Sequence, residues 1–595
     1  MKAYRITSKC LIVSIFLLYM TLLPAVESSN DSICDYSSLI QKYQLEIMKK
    51  MRKQKVQGIS IALVDFDRVV WEEGFGYADK ENNIKATPAT KYIIGSVTKL
   101  FTALGVMQLQ ELNKLDINDP LQKHLPQFDM KTHFGDINDI TIRSIMTHHG
   151  GIPSDIFTSI YCENPEEFTT TVDYINLEYA TYPVDFIGSY SNPGYTLLGH
   201  MIQEVTEELY TEYIENHIFK PVGMLQSGFL MSMDYPDGFS KAYNSKGKLD
   251  TEYPSRDVPA AAIFSNVNDM AKLAISLLCD KNGIVNKKTL QVMLEQENSD
   301  IKLDLDNKNG LCWFLEDSDA GLIALHSGAT KNHRAMFAIA PESKLGIIIL
   351  SNSENYSSMR SLYRQILEDA AKVKGFEPKY KRTYPKYPEY KKINRVKFPD
   401  GDLVNNTGNY AAPGMCFIIE KKGYKLSSQI GSRRFNLLPL DDGKYLPMFK
   451  LLRIIPINLR KVRFYFDNVN GCNILVQEQM LSGSRSIMGE RIEVSEITED
   501  WKKRLGNYTL INSISTLDEE IITDIIIKIN HDFLVFCCTI NPGEQKMEFM
   551  IKPINENEGV MMGLGRHGGG TLQFKKNENG EETLLIYGLY LKRII

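Results

Sequence analysis

The sequence predicts an α+β domain over residues 35–375, an antiparallel sheet flanked by helices with a helical subdomain, followed by a β-rich region over residues 401–595. Three observations lead there. Apolar strand-like runs stand at both ends of the first region while the stretch between them is mostly helical in period, so the sheet joins the two ends of the domain. The composition changes over residues 376–400, where Pro378, Pro385, Pro388 and Pro399 lie among six lysines and four tyrosines, a mixture that favours an extended linker over helix. Beyond it, short β-rich runs alternate with polar turns, as in a barrel or sandwich.

Taken in order, the chain opens with Lys2, Arg5 and Lys9, then 17 uncharged residues from Cys10 to Val26, then the polar Glu27-Ser28-Ser29-Asn30. That order reads as a signal peptide over residues 1–28 and predicts a secreted or cell-surface protein. An uncleaved single-span anchor is the alternative, and it is the one reading that attaches the chain to a membrane. From about Gln57 to Glu72, an apolar run, a turn at Asp65-Phe66-Asp67 and Val69-Val70-Trp71 form a hairpin at a sheet edge. The partner strands come late, at Leu322 to His326, Ala335 to Ala340 and Leu345 to Ser351. In the β-rich region Gly408-Asn409-Tyr410 recurs as Gly506-Asn507-Tyr508, which raises a two-module reading, 401–497 and 498–595, beside coincidence. The run Gly568-Gly569-Gly570 has no strand-turn-helix context, so it is read as a turn or tight bend and not as a phosphate cradle.

Composition narrows the function classes. A chain of 595 residues with 43% hydrophobic content can bury several cores, and its formal charge of −5 argues against nucleic acid as a partner. Loss of residues 1–28 removes three cations and one anion and takes the charge to −7. Eight cysteines then remain, too dispersed for a disulfide scaffold and without paired metal spacing, so they are read mainly as small buried apolar side chains, with disulfides left open.

The chemistry centres on Ser96-Val97-Thr98-Lys99. A serine and a lysine three apart share one face of a helical turn, where the amine can take the hydroxyl proton. Ser245 and Ser299 also have a lysine three positions on, but both stand in polar runs that read as solvated loops. Ser96 follows the apolar Tyr92-Ile93-Ile94-Gly95 and opens a segment with Val97, Leu100, Phe101, Leu104 and Met107 at helical spacing, which predicts a buried helix with serine in its first turn.

Two more motifs follow in order. Tyr190-Ser191-Asn192 precedes Pro193-Gly194-Tyr195-Thr196-Leu197-Leu198-Gly199-His200, and His326-Ser327-Gly328 ends an apolar strand. Over roughly residues 45–370 this order resembles the serine β-lactamase and penicillin-binding protein superfamily, in its class C-like branch of D-amino-acid peptidases and esterases. The resemblance implies a β-lactamase-like fold, Ser96 as the acylated nucleophile and Lys99 as its base. It implies Tyr190 as a partner in proton transfer and Asn192 as a contact to substrate and to Lys99. It further implies a substrate-binding strand through His326, Ser327, Gly328 and Ala329, with the backbone N–H groups of Ser96 and Ala329 facing an oxyanion. Burial and the positive end of the helix would lower the Lys99 pKa. Tyr174-Ile175-Asn176 fits the tyrosine pattern too, but lacks the continuation.

At His326 the sequence departs from the lysine that begins this motif in β-lactamases and carboxypeptidases. An ordinary histidine titrates near pH 6.5 and cannot serve as a fixed cation. If it sensed substrate charge, kcat/KM for anionic substrates would fall as pH rises from about 5.5 to 7.5. Structural readings stand beside the functional ones: Ser265 as a helix N-cap, His148-His149 as part of a turn and not a metal site, Tyr190 as a core tyrosine, His326 as a strand end.

The resemblance therefore implies an exported serine hydrolase that acts on amide or ester bonds of D-amino-acid peptides or small esters, with no metal or organic cofactor. The alternative is a penicillin-recognising sensor or binding protein with little turnover. The expected partner is a small-molecule or peptide substrate, and the lysine- and tyrosine-rich linker is either solvated or in contact with a polyanionic cell wall.

Overall fold

The computed structural model describes residues 34–279, 283–355, 361–378, 400–430, 433–451, 455–458, 461–480, 482–512, 522–540, 545–577 and 579–594. The expected signal peptide and most of the expected linker lie outside them. No helix of the described residues is long and apolar enough to cross a membrane.

The first region is built on helix α1 (Ser37–Gln54), hairpin β1 (Gly58–Asp65) and β2 (Arg68–Asp79), and the short β3 (Ile84–Lys85). Three long helices of the middle follow, α2 (Thr98–Glu111), α3 (Asn192–Thr206) and α4 (Val267–Cys279). Strands β4 (Lys308–Asn309), β5 (Phe314–Ser318), β6 (Gly321–Ala329), β7 (Arg334–Ala340) and β8 (Leu345–Ser351) and helix α5 (Leu362–Val373) complete it. The eight strands form one sheet in the order β3-β2-β1-β8-β7-β6-β5-β4. The first hairpin and the last strand meet in antiparallel register, from Ile59 opposite Ser351 to Asp65 opposite Leu345, so the sheet does join the two ends of the domain.

Every residue of β1 is buried because both faces of the sheet are covered. Ala62 and Val64 pack into the core around α2, α3 and α4, whereas Ile59, Ile61 and Leu63 pack beneath α1 and α5. This two-sided burial gives a continuous apolar run where a half-exposed strand would alternate. Helix α5 buries Leu362, Tyr363, Ile366, Leu367, Ala370 and Ala371, one stripe at helical spacing. Helix α2 is buried on nearly all sides, and its buried polar side chains are hydrogen-bonded, Lys99 to Ala260 O and Thr102 to Pro259 O.

The structure corrects one capping expectation. Ser265 ends a short strand, Ile263–Ser265, and its hydroxyl lies 2.8 Å from that of Ser227. Asn266 takes the cap, accepting from the Asp269 N–H at 2.9 Å, because the chain turns into α4 one residue later than the serine suggested.

The C-terminal region forms two barrels. The first contains nine antiparallel strands within residues 408–492, and pairing of Arg433–Pro439 with Tyr445–Leu451 closes eight of them into a ring. The second is a closed barrel of eight strands within residues 506–593. The repeated tripeptide plays one part in both. Gly408 and Gly506 have φ of 142° and 138°, and Tyr410 and Tyr508 each donate a hydroxyl to a carbonyl four residues back, Asn406 O at 3.3 Å and Arg504 O at 2.7 Å. The triple glycine lies in the turn between two strands of the second barrel, Glu558–Met561 and Thr571–Lys576.

Candidate active site

Ser96 sits in a single 3₁₀ turn, Gly95–Val97, that leads directly into α2 and puts Lys99 one turn on. Gly95 has φ +52°, and a Cβ there would lie 2.8 Å from the Ala329 nitrogen. Gly328 is tighter still, since a Cβ on it would collide with Ile94 O. Two glycines therefore allow the end of β6 to press against the serine turn, which brings the Ala329 backbone beside Ser96.

Tyr190 and Asn192 flank the start of α3. Ser191 is its N-cap, accepting from the Gly194 N–H at 2.9 Å and donating its hydroxyl to Pro153 O at 2.7 Å, and Pro193 occupies the first turn, where a missing N–H costs nothing. The Tyr-Ser-Asn motif is thus a rigid helix start. Gly199 lets α3 lie against Pro259, whose following residue, Ala260, turns its carbonyl to the site.

Lys99 is fully buried. Its Nζ lies 3.2 Å from Ser96 Oγ, 2.7 Å from Asn192 Oδ1, 3.0 Å from Ala260 O and 4.9 Å from the centre of the Tyr190 ring. Burial pushes its pKa down to about 7; Arg566 adds to the fall, while Asp257 and Asp155 oppose it. Burial raises the Tyr190 phenol well above its ordinary value, and the Ser96 hydroxyl eases its ionisation in part. The Tyr190 hydroxyl makes no regular hydrogen bond among the described residues, and its ring rests 4.1 Å from that of His148.

These groups open on a cleft of about 1350 Å³ whose wall includes Ser96, Tyr190, Asn192, His326, Ser327 and Ala329. The site residues named from the sequence thus converge. The rivals do not join them: Ser245 and Ser299 are exposed, and Tyr174 donates its hydroxyl to Glu166 at 3.0 Å. His148 accepts from the Ser191 N–H at 3.1 Å and His149 contacts Asp304 at 2.8 Å, so both are structural braces.

His326 requires a correction. It is 1% exposed with Nδ1 2.8 Å from Ser327 O, and burial together with the charge of Lys99 pushes its pKa down to about 3. It stays neutral between pH 5.5 and 7.5, so the charge-sensing expectation does not hold there. As a wall of the cleft it offers a neutral ring.

Three residues escaped sequence reading. Asn192 Nδ2 donates to Asp155 Oδ1 at 2.6 Å, and Asp155 Oδ2 in turn receives Arg566 Nη2 and His567 Nε2, both at 2.8 Å. Burial opposes ionisation of Asp155, but Arg566 and His567 outweigh it and hold its carboxyl well below the usual range. Arg566 and His567 come from the second barrel, on the turn that carries the triple glycine. The Arg566-His567 pair adjoins the glycine run at 568–570, and that adjacency was the one available signal.

Residues 46–371, more than half of the chain, match the family model described as Beta-lactamase. The chain belongs to the beta-lactamase family. Among curated proteins, it is 30% identical over 320 residues to Protein flp of Staphylococcus aureus (strain MRSA252), covering 52% of this chain and 62% of that protein. It is also 30% identical over 235 residues to the putative penicillin-binding protein PbpX of Bacillus subtilis (strain 168), covering 39% of this chain and 57% of that protein. The chain thus spans less than two thirds of either relative. Among solved structures, the octameric penicillin-binding protein homologue from Pyrococcus abyssi has a TM-score of 0.50 at 22% identity, and the crystal structure of SurE a TM-score of 0.55 at 18% identity. The first covers 76% of this chain and 98% of its own, the second 76% and 99%. They are similar in fold. The Ser96, Lys99 and Tyr190 cluster lies within the residues that match the beta-lactamase family model.

Proposed function

We propose that this beta-lactamase relative is an exported hydrolase that forms an acyl-enzyme on Ser96 and acts on amide or ester bonds of D-amino-acid peptides or small esters. One observation carries the reading. The Asn192 amide is oriented by Asp155, so its oxygen faces Lys99, and Ala260 O is also purely an acceptor. A neutral amine has two N–H bonds and one lone pair. The two carbonyl oxygens take the two hydrogens, and the lone pair is left for the third neighbour, the Ser96 hydroxyl.

In this mechanism Ser96 Oγ attacks the substrate carbonyl as its proton passes to Lys99. The backbone N–H groups of Ser96 and Ala329 stabilise the oxyanion, a contribution of about 3 kcal/mol per donor in comparable sites. Tyr190 relays the proton to the leaving group, and water then attacks the acyl-enzyme by the reverse path. Export rests on the charge pattern of residues 1–28.

Incubation with a fluorophosphonate, followed by peptide mass spectrometry, tests the nucleophile. A single adduct on Ser96, with multiple turnover of a D-aminoacyl ester or amide, is expected. No adduct on Ser96, or an adduct elsewhere with full activity, would exclude the proposal.

A further inference from the structure

The family motif that would place a cation in the cleft carries neutral His326 instead, yet the cleft does not lack positive charge. Arg566 reaches it from the second barrel, with its guanidinium carbon 5.2 Å from the centre of the Tyr190 ring. It keeps 46% of its side-chain surface exposed, although Asp155 beneath it is 5% exposed. Among the described residues Asp155 is its hydrogen-bond partner, through Nη2, so most of the guanidinium donors remain for the cleft. Asp155 divides its charge among Arg566, His567 and Asn192.

The other lysine and arginine side chains lining the cleft are also paired, Lys308 with Asp317 at 2.7 Å, Lys331 with Asp250 at 3.1 Å and Arg364 with Glu316 at 3.1 Å, and each is less exposed than Arg566. The turn that presents Arg566 is itself fixed. Tyr182 donates its hydroxyl to Gly563 O at 2.7 Å and Gly565 O at 3.1 Å, and the His567 N–H donates to Ser154 Oγ at 3.0 Å. His567 has φ +67° and Gly569 φ +74°, the bend that turns the arginine toward Ser96's cleft. A cation this well supported, half open and beside the reacting groups is built to meet an anion.

We propose that Arg566 is a specificity-determining residue, supplied by the second barrel, that receives a carboxylate of the substrate near the scissile bond. Its planar fork, with donors left over beyond the one given to Asp155, matches the geometry of a carboxylate. The inference rests on the hydrolase reading of Ser96.

Three D-alanyl thioesters test it in the full chain: N-acetyl-D-alanyl thioglycolate, its methyl ester, and the N-succinyl analogue of that methyl ester. They place a carboxylate on the leaving group, nowhere, and on the acyl side. The wild-type protein should favour at least one carboxylate-bearing ester over the neutral one in kcat/KM. Arg566→Ala should cut that preference by about 10- to 100-fold, the usual worth of a charged hydrogen bond. Arg566→Lys should retain part of it, and Arg566→Glu should reverse it. If Arg566 only steadied Asp155, all three esters would decline together and the ratio would not move, which overturns the inference. An absence of carboxylate preference in the wild-type protein overturns it as well. Fluorophosphonate labelling of each protein separates the two readings: an unlabelled wild-type Ser96 removes the hydrolase reading and this one with it, whereas normal labelling with unchanged ratios removes this one alone.

Discussion

Asn192 and Arg566 grip opposite oxygens of one buried carboxylate, Asp155, at 2.6 and 2.8 Å, so a helix of the catalytic domain and a turn of the second barrel are fastened at the same point. The tie reaches Lys99, because Asn192 Oδ1 is one of its partners. Asp155→Asn should therefore act on the amine in two ways. Asp155 raises the Lys99 pKa and Arg566 lowers it; removing the anion leaves Asp257 as the carboxylate that still opposes Arg566 and lowers that pKa further. The rising limb of kcat/KM against pH should move to lower pH, with the plateau about 10- to 100-fold below wild type as Asn192 loses its fixed orientation. A lower plateau with an unmoved limb would show that Asp155 sets geometry alone.

Lys99 itself sets the second expectation. With a pKa near 7 and a neutral form that acts as base, kcat/KM should rise tenfold per pH unit below about pH 7 and level off above it. The sign for stability follows from the same shift. Between about pH 7 and the ordinary lysine value of 10.5 the unfolded chain binds a proton that the folded chain refuses, so this residue makes stability increase with pH across that window. Lys99→Ala should abolish the limb and cut the labelling rate of Ser96 by about 10²- to 10⁴-fold.

Much of this domain was legible because its signals are local. The Ser96 helix, the Tyr190-Ser191-Asn192 helix start and the three late strands each declare themselves within a dozen residues, through apolar period, a capping serine and paired runs. The misreadings came from tertiary context. His326 has an ordinary titration only if water reaches it, and sequence does not carry its burial. Ser265 and Asn266 are adjacent candidates for one cap, and the choice depends on where a strand ends. Arg566 lies hundreds of residues from Asp155, and a glycine-rich turn reads the same whether it stands free or enters another domain's cleft.

Tyr190 allows function to be separated from stability. Its hydroxyl is buried without a regular hydrogen bond, so its removal strands no partner. Tyr190→Phe should leave the unfolding free energy within about 0.5 kcal/mol of wild type while slowing acylation by about 10²- to 10⁴-fold. Urea unfolding beside Ser96 labelling checks both. A large loss of stability would make the tyrosine a structural anchor and return it to the core reading.

Gly569 tests whether the barrel turn must enter the cleft for the site to work. It has φ +74°, and a Cβ would run into Thr181 O of the catalytic domain. Gly569→Ala adds both backbone strain and a clash with main chain, which cannot swing aside as a flexible side chain would. The cheapest relief is for the turn to withdraw, taking Arg566 and His567 away from Asp155. The expected outcome is a loss of about 1–3 kcal/mol of stability, together with a reduced kcat/KM and a pH limb moved to higher pH, because the departing Arg566 lowers the Lys99 pKa while Asp155, which raises it, stays in place. Hydrogen exchange should then report faster exchange at the His567 N–H, now freed from Ser154, with β6 and α2 unaffected. If stability falls by that amount while activity and its pH profile stay at wild-type values, the second barrel braces the domain without taking part in the site.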